Sequence, residues 1–226
     1  MSKWHLRYQF PVTFDTGPIV WFNATFDSLF IRLGIYDELD EYLGNIQAQQ
    51  GKFWVSGPLG GYGKSTMLHY IERELLSNLH KWDTLPFHIS VGKRTPTVED
   101  TFYRNFINQF LKLPEKLSTA EEILKATLSA DIQKHVLHWF ANQGKPEIRR
   151  IQKELATLDV KELERRFDIV MEEILSHWTK KGLFSKYVLL IDEMDKLDAD
   201  DVLNFLSGNQ DLFQRLYQQF NFVVFI

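Results

Sequence analysis

The sequence contains no cysteine, which excludes disulfide bonds and thiolate metal sites. It also lacks a long apolar run, since no stretch approaches the ~20 residues that a membrane-spanning helix needs. The N-terminal segment 1–5 lacks the basic and then apolar pattern of a signal peptide. These absences predict a protein without a membrane segment, and the expected compartment is the cytoplasm.

A large excess of charge of one sign is also missing. The 226 residues include 26 Lys and Arg against 30 Asp and Glu, for a formal net charge of −4. So small a charge gives no global attraction to nucleic acid or anionic lipid. Hydrophobic residues make up 44% and charged residues 25%, which is typical of a folded domain with a sizeable core.

Short apolar strands alternate with helical stretches along the chain. Strands are predicted at 53–55, 87–91, 187–191 and 222–226. Helices are predicted near 36–50, after residue 63, after Thr97, through 118–182, and near 200–207 and 211–220. This alternation favours a parallel sheet with right-handed crossovers, so the predicted fold class is α/β.

A glycine-rich segment lies between the first predicted strand and the helix that follows it. It reads Gly57-Pro58-Leu59-Gly60-Gly61-Tyr62-Gly63-Lys64-Ser65-Thr66. Glycines allow a tight turn that aims several backbone N–H groups into one concavity, and the helix N-terminus adds partial positive charge. Both features favour phosphate oxygens. The segment is therefore predicted to be a P-loop that binds ATP.

The residues of this loop have separate expected roles. The phosphate cradle is predicted to comprise Gly60, Gly61, Tyr62 and Gly63. Lys64 can reach the β- and γ-phosphates, the Ser65 hydroxyl can bind Mg²⁺, and Thr66 is expected near the α-phosphate. The spacing departs from the strict motif, because Pro58 stands where the first glycine is expected and Gly57 precedes it by one position.

Two acidic residues follow the predicted strand 187–191. Asp192 can meet Ser65 across the Mg²⁺ ion, and Glu193 can orient and deprotonate the attacking water. An apolar run ending in Asp-Glu is by itself weak evidence for a magnesium-binding strand end. The P-loop upstream in the same sequence makes this interpretation specific. A GTPase would usually have a glycine where Asp195 stands, so the segment favours ATP. Glu193 and Lys64 are the predicted catalytic residues.

Together these segments resemble a known group of ATPases. Gly-Gly-Tyr-Gly-Lys-Ser-Thr (60–66), followed by Leu-Leu-Ile-Asp-Glu-Met-Asp-Lys-Leu (189–197), is similar to the core of origin-recognition-type AAA+ proteins and STAND signalling ATPases. The resemblance covers about residues 36–226. It implies a three-layer P-loop NTPase with an incomplete parallel sheet, preceded by an N-terminal extension (1–35) and carrying a helical insertion at about 118–182.

The resemblance also implies parts that are not in the sequence. A polar sensor, an arginine finger, a last core strand and a helical lid would all follow residue 226. We therefore expect the N-terminal part of a larger protein, whose open sheet edge is covered by self-association or a partner chain. A nucleic-acid partner is implied by the resemblance, and the net charge gives it no support.

The sequence leaves two functions open and disfavours a third. The first is ATP hydrolysis that drives a conformational or remodelling function, which Glu193 favours. The second is a slow or non-hydrolysing signalling or defence switch, which the missing sensor and arginine finger favour. A small-molecule kinase would need an arginine-rich lid after the P-loop helix, and 80–117 contains only Arg94 and Arg104.

One histidine pair has two of the ligands that a metal site would need. His135 and His138 lie three positions apart in a predicted helix. No third ligand is evident in the sequence, so the pair is expected to be solvated or packed.

Overall fold

The computed structural model describes residues 34–49, 51–53, 63–92, 97–117, 120–139 and 148–226. Almost all of the predicted N-terminal extension lies outside these residues. So do Gly60, Gly61 and Tyr62 of the predicted cradle. The remaining site residues are described.

Within the described residues, four parallel strands form one sheet. They are β1 (Gly51–Phe53), β2 (Thr84–Ser90), β3 (Lys186–Asp192) and β4 (Phe222–Phe225). Their order across the sheet is β1-β4-β3-β2, and all pairs are parallel. The continuous apolar runs of β3 and β4 are buried on both faces, as expected for a covered parallel sheet. The predicted sheet is confirmed.

The helices lie between and beside these strands. They are α1 (Gly34–Gly44), α2 (Lys64–Ser77), α3 (Leu79–Trp82), α4 (Val98–Lys116), α5 (Glu122–Trp139), α6 (Ile148–Leu155), α7 (Val160–Ile169), α8 (Ser176–Lys180), α9 (Ala199–Gly208) and α10 (Gln210–Gln218). A π-helical segment, Val170–Leu175, joins α7 to α8. Short 3₁₀ turns occupy Ile46–Ala48 and Met194–Lys196.

Two helices begin at side-chain caps, and the first of these, at Thr97, is a predicted helix start. Thr97 Oγ1 accepts a hydrogen bond from the backbone N–H of Asp100 at 3.1 Å and begins α4. Asp159 Oδ1 accepts one from the N–H of Glu162 at 2.9 Å and begins α7. The described part of 118–182 is largely helical, as predicted, with a turn at 156–159 before the second cap.

Helices cover both faces of the sheet, which gives three layers. On one face, α1 and α2 bury an aliphatic cluster against β3 and β4. On the other, α4, the helices of 118–182, α9 and α10 bury a larger cluster that is rich in aromatic rings. Phe87 of β2 stacks on Phe106 of α4 with 4.8 Å between ring centroids. The predicted three-layer α/β architecture is confirmed.

This topology brings the polar motifs to one edge of the sheet. Because the strands are parallel, the carboxyl ends of β2 and β3 lie side by side, with Ser90 in register with Asp192. Gly63 adopts φ 81° and leads into α2, so the helix begins with Lys64. Ligands of open α/β sheets bind beyond the carboxyl ends of the strands, which makes this edge the candidate site.

Candidate functional site

Ser65 and Asp192 meet directly at the carboxyl edge of the sheet. The Ser65 hydroxyl donates a hydrogen bond to Asp192 Oδ1 at 2.8 Å, although 127 positions separate the two residues. The start of α2 positions Ser65, and the buried strand β3 positions Asp192. Hydroxyl and carboxylate oxygens are ligands that Mg²⁺ prefers, so the pair fits the predicted metal role.

Lys64 lies at the same edge and contacts Asp195, which is not among the predicted site residues. Its Nζ is 2.8 Å from Asp195 Oδ2, in the 3₁₀ turn that follows β3. From the sequence, Asp195 served only to favour ATP over GTP. Asp195 could have been predicted from its position three residues after Asp192, because a tight turn after the strand returns the chain toward the strand end.

Glu193 adopts an uncommon backbone conformation, with φ 66°. Its Oε2 accepts a hydrogen bond from Ser90 Oγ, and its Oε1 pairs with Lys196 Nζ. The carboxylate packs against Gly92, where an added Cβ would lie 2.6 Å from Glu193 Oε2. Burial alone would raise the pKa of Glu193, but hydrogen bonds from Lys196 and Ser90 bring it below its ordinary value. The carboxylate is therefore ionised at neutral pH.

The remaining predicted cradle residues fall at the start of α2. Gly63 has the left-handed conformation that glycine adopts without steric cost, and it precedes the first helical turn. Thr66 lies in that first turn and is partly buried. The structure thus describes Gly63, Lys64, Ser65 and Thr66 of the predicted P-loop.

A buried charge network lies behind Asp192. The Glu72 carboxylate on α2 is 2.9 Å from His88 Nδ1 on β2 and 2.5 Å from Lys116 Nζ at the end of α4. Glu72 is only 1% exposed. The other ring nitrogen of His88, Nε2, lies 3.7 Å from Asp192 Oδ2. The contacts connect the candidate metal ligand to the protein interior.

Opposite charges determine the pKa values of the residues in this buried charge network. Burial would raise the pKa of Glu72, but His69, His88 and Lys116 hold it well below the ordinary value. Burial would lower the pKa of His88, and its contacts with Asp192 and Glu72 raise it instead. Burial would raise the pKa of Asp192, while His88 and Ser65 lower it. Buried charges of this kind persist only when they are paired.

Sequence reasoning missed Glu72, His88, Lys116 and Ser90. Glu72 stood among the polar residues between the apolar positions of α2, and it is buried. His88 and Ser90 are polar residues at alternate positions near the end of β2, between apolar neighbours. Because alternate strand residues share a face, this pattern was the available signal of a polar site at the end of β2.

These features define a class of protein. In this parallel α/β domain a glycine leads into a helix, and the Lys and Ser that begin this helix meet the acidic end of a neighbouring strand. A domain with this arrangement is a P-loop nucleotide-binding domain. The family model described as the KAP family P-loop domain matches residues 33–226. The chain belongs to this family.

No match was found among curated proteins, and none among solved structures. Within the described residues, no helix has the length and apolar character needed to cross a membrane.

Proposed function

We propose that this chain binds ATP with Mg²⁺ and hydrolyses the ATP. The observation that carries the proposal is the hydrogen bond from Ser65 to Asp192, with Lys64 at the same strand end. A magnesium-binding P-loop protein needs a hydroxyl, a carboxylate and an ammonium group together at one helix N-terminus. Membership of a P-loop family supports the same assignment.

Each residue of the site has a proposed part in binding. The backbone of Gly60, Gly61, Tyr62 and Gly63 would donate N–H groups to the phosphates, with Thr66 near the α-phosphate. Ser65 and Asp192 would hold Mg²⁺, which supplies positive charge to the phosphate oxygens when bound. Lys64 would place a second positive charge against the β- and γ-phosphates.

Glu193 is the proposed general base. Its carboxylate is ionised at neutral pH, which is the form that can accept a proton from the attacking water. Ser90 fixes one of its oxygens, so the other must leave Lys196 to reach a water molecule. The main contributions of this chain are therefore positioning of the water and placement of positive charge.

The wider assignment is also a proposal. We infer that 36–226 is part of an ATPase core of the AAA+ or STAND type, that 118–182 is an insertion into it, and that 1–35 is an extension. Hydrolysis would drive a conformational or remodelling function in the cytoplasm, with self-association or a partner chain completing the site. The resemblance of 60–66 and 189–197 to these ATPases supports this inference.

A slow or non-hydrolysing nucleotide switch is the second candidate. Ion pairs hold both proposed catalytic side chains: Lys64 with Asp195, and Glu193 with Lys196. A site in which these pairs persist after nucleotide binds would retain ATP without rapid turnover. The two candidates differ in rate and share the same binding residues.

Calorimetry with ATP and Mg²⁺ tests the binding site. Lys64→Ala should abolish binding, which we expect in the micromolar range for the parent. Lys81→Ala is the matched control, because Lys81 is an exposed lysine on α3 and should leave binding unchanged. Equal binding by the Lys64→Ala variant and the parent would contradict the assignment.

Phosphate release separates the two candidate functions. Glu193→Gln should retain ATP binding and lose about 10²–10⁴-fold in turnover, the usual contribution of a general base. Equal turnover by variant and parent would remove Glu193 as the base. A parent protein that binds ATP and releases no phosphate would favour the switch.

A further inference from the structure

The carboxylate of Asp192 is contacted at both of its oxygens. Oδ1 accepts hydrogen bonds from the Ser65 hydroxyl at 2.8 Å and from the backbone N–H of Glu193 at 2.7 Å. Oδ2 lies 3.7 Å from His88 Nε2. Ser65 and Asp192 are the residues proposed to hold Mg²⁺, and His88 has no part in that proposal. The contact at Oδ2 therefore needs an explanation of its own.

The pairing of two strands places His88 beside this oxygen. β2 and β3 are in register, with His88 opposite Leu190 and Ser90 opposite Asp192. Because alternate residues of a strand share a face, the side chains of His88 and Ser90 point to the same side of β2. That side is covered by α2, since His88 contacts Glu72 of this helix. The ring of His88 thus lies between α2 and the end of β3.

Glu72 holds the His88 ring from the opposite side. Its Oε2 lies 2.9 Å from His88 Nδ1, and its Oε1 lies 2.5 Å from Lys116 Nζ. Glu72 and His88 are both buried, so little water can replace these contacts. Fully paired polar networks in a protein interior rigidify the groups that they join. The His88 ring therefore has one fixed orientation toward Asp192.

The contacts form a closed loop on one face of α2. Ser65 and Glu72 occupy positions i and i+7 of this helix, about two turns apart, so both side chains leave the same face. Ser65 reaches Asp192 directly, and Glu72 reaches it through His88. The helix that begins at the P-loop therefore controls both oxygens of one carboxylate.

The charge on His88 does not decide its effect on the ion. A histidine ring between two carboxylates carries positive charge, which by itself would oppose a cation at Asp192. Glu72 is 2.9 Å from the ring, nearer than the 3.7 Å between the ring and Asp192, and it offsets that charge. What remains at Asp192 is a fixed contact that limits rotation of the carboxylate. Residues that orient a metal ligand typically contribute about 10–100-fold to metal affinity.

We propose that His88 is a positioning residue of the Mg²⁺ site: Glu72 holds its ring, and the ring holds the Asp192 carboxylate with Oδ1 directed at Ser65 and the ion. The inference rests on the proposed binding of ATP with Mg²⁺ and adds a residue to that site. In this role His88 acts through Asp192 and has no contact with the phosphates. Its loss should therefore weaken binding of Mg²⁺ and leave binding of the nucleotide itself intact.

The affinity of the whole chain for ATP, measured by calorimetry in EDTA and in saturating Mg²⁺, tests the proposal. The ratio of the two affinities follows the affinity of the ATP-loaded chain for Mg²⁺. His88→Phe removes both ring nitrogens and keeps an aromatic ring in the buried position. It should lower the ratio about 10–100-fold, while the affinity for ATP in EDTA stays that of the parent. A merely structural loss would lower both affinities together.

Three further variants make the result specific. His88→Gln keeps a nitrogen donor near the position of Nε2 and should recover most of the ratio. His88→Asn keeps a donor near Nδ1 that cannot reach Asp192, so it should behave like His88→Phe and replaces it if the Phe variant does not fold. His135→Phe makes the same change at a distant histidine in α5, and the side chains of His88 and His135 are both 7% exposed. It should leave the ratio unchanged, and circular dichroism checks the folding of each variant.

The outcomes separate this inference from the proposed function. A parent that binds no ATP, or gains nothing from Mg²⁺, would contradict the proposed function. A parent that gains from Mg²⁺, with the same ratio in His88→Phe, would overturn the inference alone. Tighter Mg²⁺ binding by His88→Phe would also overturn it, because the charge on His88 would then oppose the ion. An equal loss of ATP affinity in EDTA, or no recovery with His88→Gln, would do the same.

Discussion

The ammonium group of Lys64 lies 2.8 Å from a carboxylate oxygen of Asp195. The same ammonium group is proposed to bind the β- and γ-phosphates of ATP. A bound phosphate and Asp195 would therefore compete for one cation. Asp195 is 45% exposed, so water weakens this ion pair and the competition is modest.

Asp195→Asn should raise the affinity for ATP and Mg²⁺. Removal of a partly exposed ion pair is worth about 0.2–1 kcal/mol, which corresponds to an increase of up to about fivefold. Asp200→Asn, an exposed acidic residue in the first turn of α9, should leave the affinity unchanged. Calorimetry measures both. A weaker affinity for Asp195→Asn would mean that Asp195 assists binding of the metal.

Ser90→Ala should reduce turnover while the affinity for ATP changes little. Ser90 donates a hydrogen bond to the proposed base Glu193 and has no proposed contact with phosphate. Loss of this bond leaves the carboxylate less well placed, and a misplaced catalytic group can lose about 100-fold in rate. Steady-state kinetics should show the fall in kcat rather than a rise in KM.

Ser77→Ala is the matched control for this variant, because Ser77 is exposed at the end of α2. It should keep the turnover of the parent. If Ser90→Ala also kept it, Ser90 would have no part in positioning Glu193.

Glu72→Gln should destabilise the fold by about 3–5 kcal/mol, because it removes one partner of a buried charge network. His88 and Lys116 would then lose the carboxylate that matches their charge. Urea unfolding measures the loss. Glu74→Gln on the same helix, where Glu74 is less buried, should cost under about 0.5 kcal/mol.

The double variant Glu72→Gln/Lys116→Met makes the test sharper. It removes the unmatched ammonium group as well and should recover part of the lost stability. Equal instability of the single and double variants would show that packing, rather than charge, explains the effect.

Glu162 should contribute to stability against acid. Hydrogen bonds from Arg165 and Arg166 lower its pKa to about 2, against an ordinary value of 4.5. A lowered folded-state pKa means that the contribution is present above about pH 4.5 and is lost as the pH falls toward 2. Because the pairs lie near the surface, we expect less than about 1 kcal/mol.

Urea unfolding at pH 5 and near pH 2.5 measures this contribution. Glu162→Gln should lose less stability over that interval than the parent does. Glu164→Gln, an exposed neighbour in α7, should follow the parent. Parallel losses for parent and Glu162→Gln would refute the linkage.

Local periodicity was enough to predict most of the architecture. The helix predicted after residue 63 is α2, and Leu68, Ile71 and Leu75 form its buried stripe because their spacing places them on one helical face. Leu79 continues the same spacing in the sequence but begins α3, since α2 ends at Ser77. The first strand begins two residues earlier than predicted, at Gly51.

The contact between Ser65 and Asp192 could be predicted because both residues belong to motifs that bind the same Mg²⁺ ion. The contacts of Glu72 with His88 and Lys116 could not, because they join residues 16 and 44 positions apart with no motif in common. The contact between His135 Nδ1 and Glu173 Oε2, 3.8 Å apart, was missed for the same reason. Glu173 lies on a different helix, and sequence spacing does not predict which helices face each other.

The place of β4 in the sheet has a consequence for synthesis on the ribosome. β1, which precedes the P-loop, pairs with β4 among the described strands, and Gly51 is in register with Val223. Until residues 222–225 emerge, β1 lacks the one partner that the described part of the chain gives it, whereas β2 and β3 can already join. The nascent chain should therefore gain its capacity for nucleotide only after residues 222–225 have been made, later than the first pairing of β2 with β3.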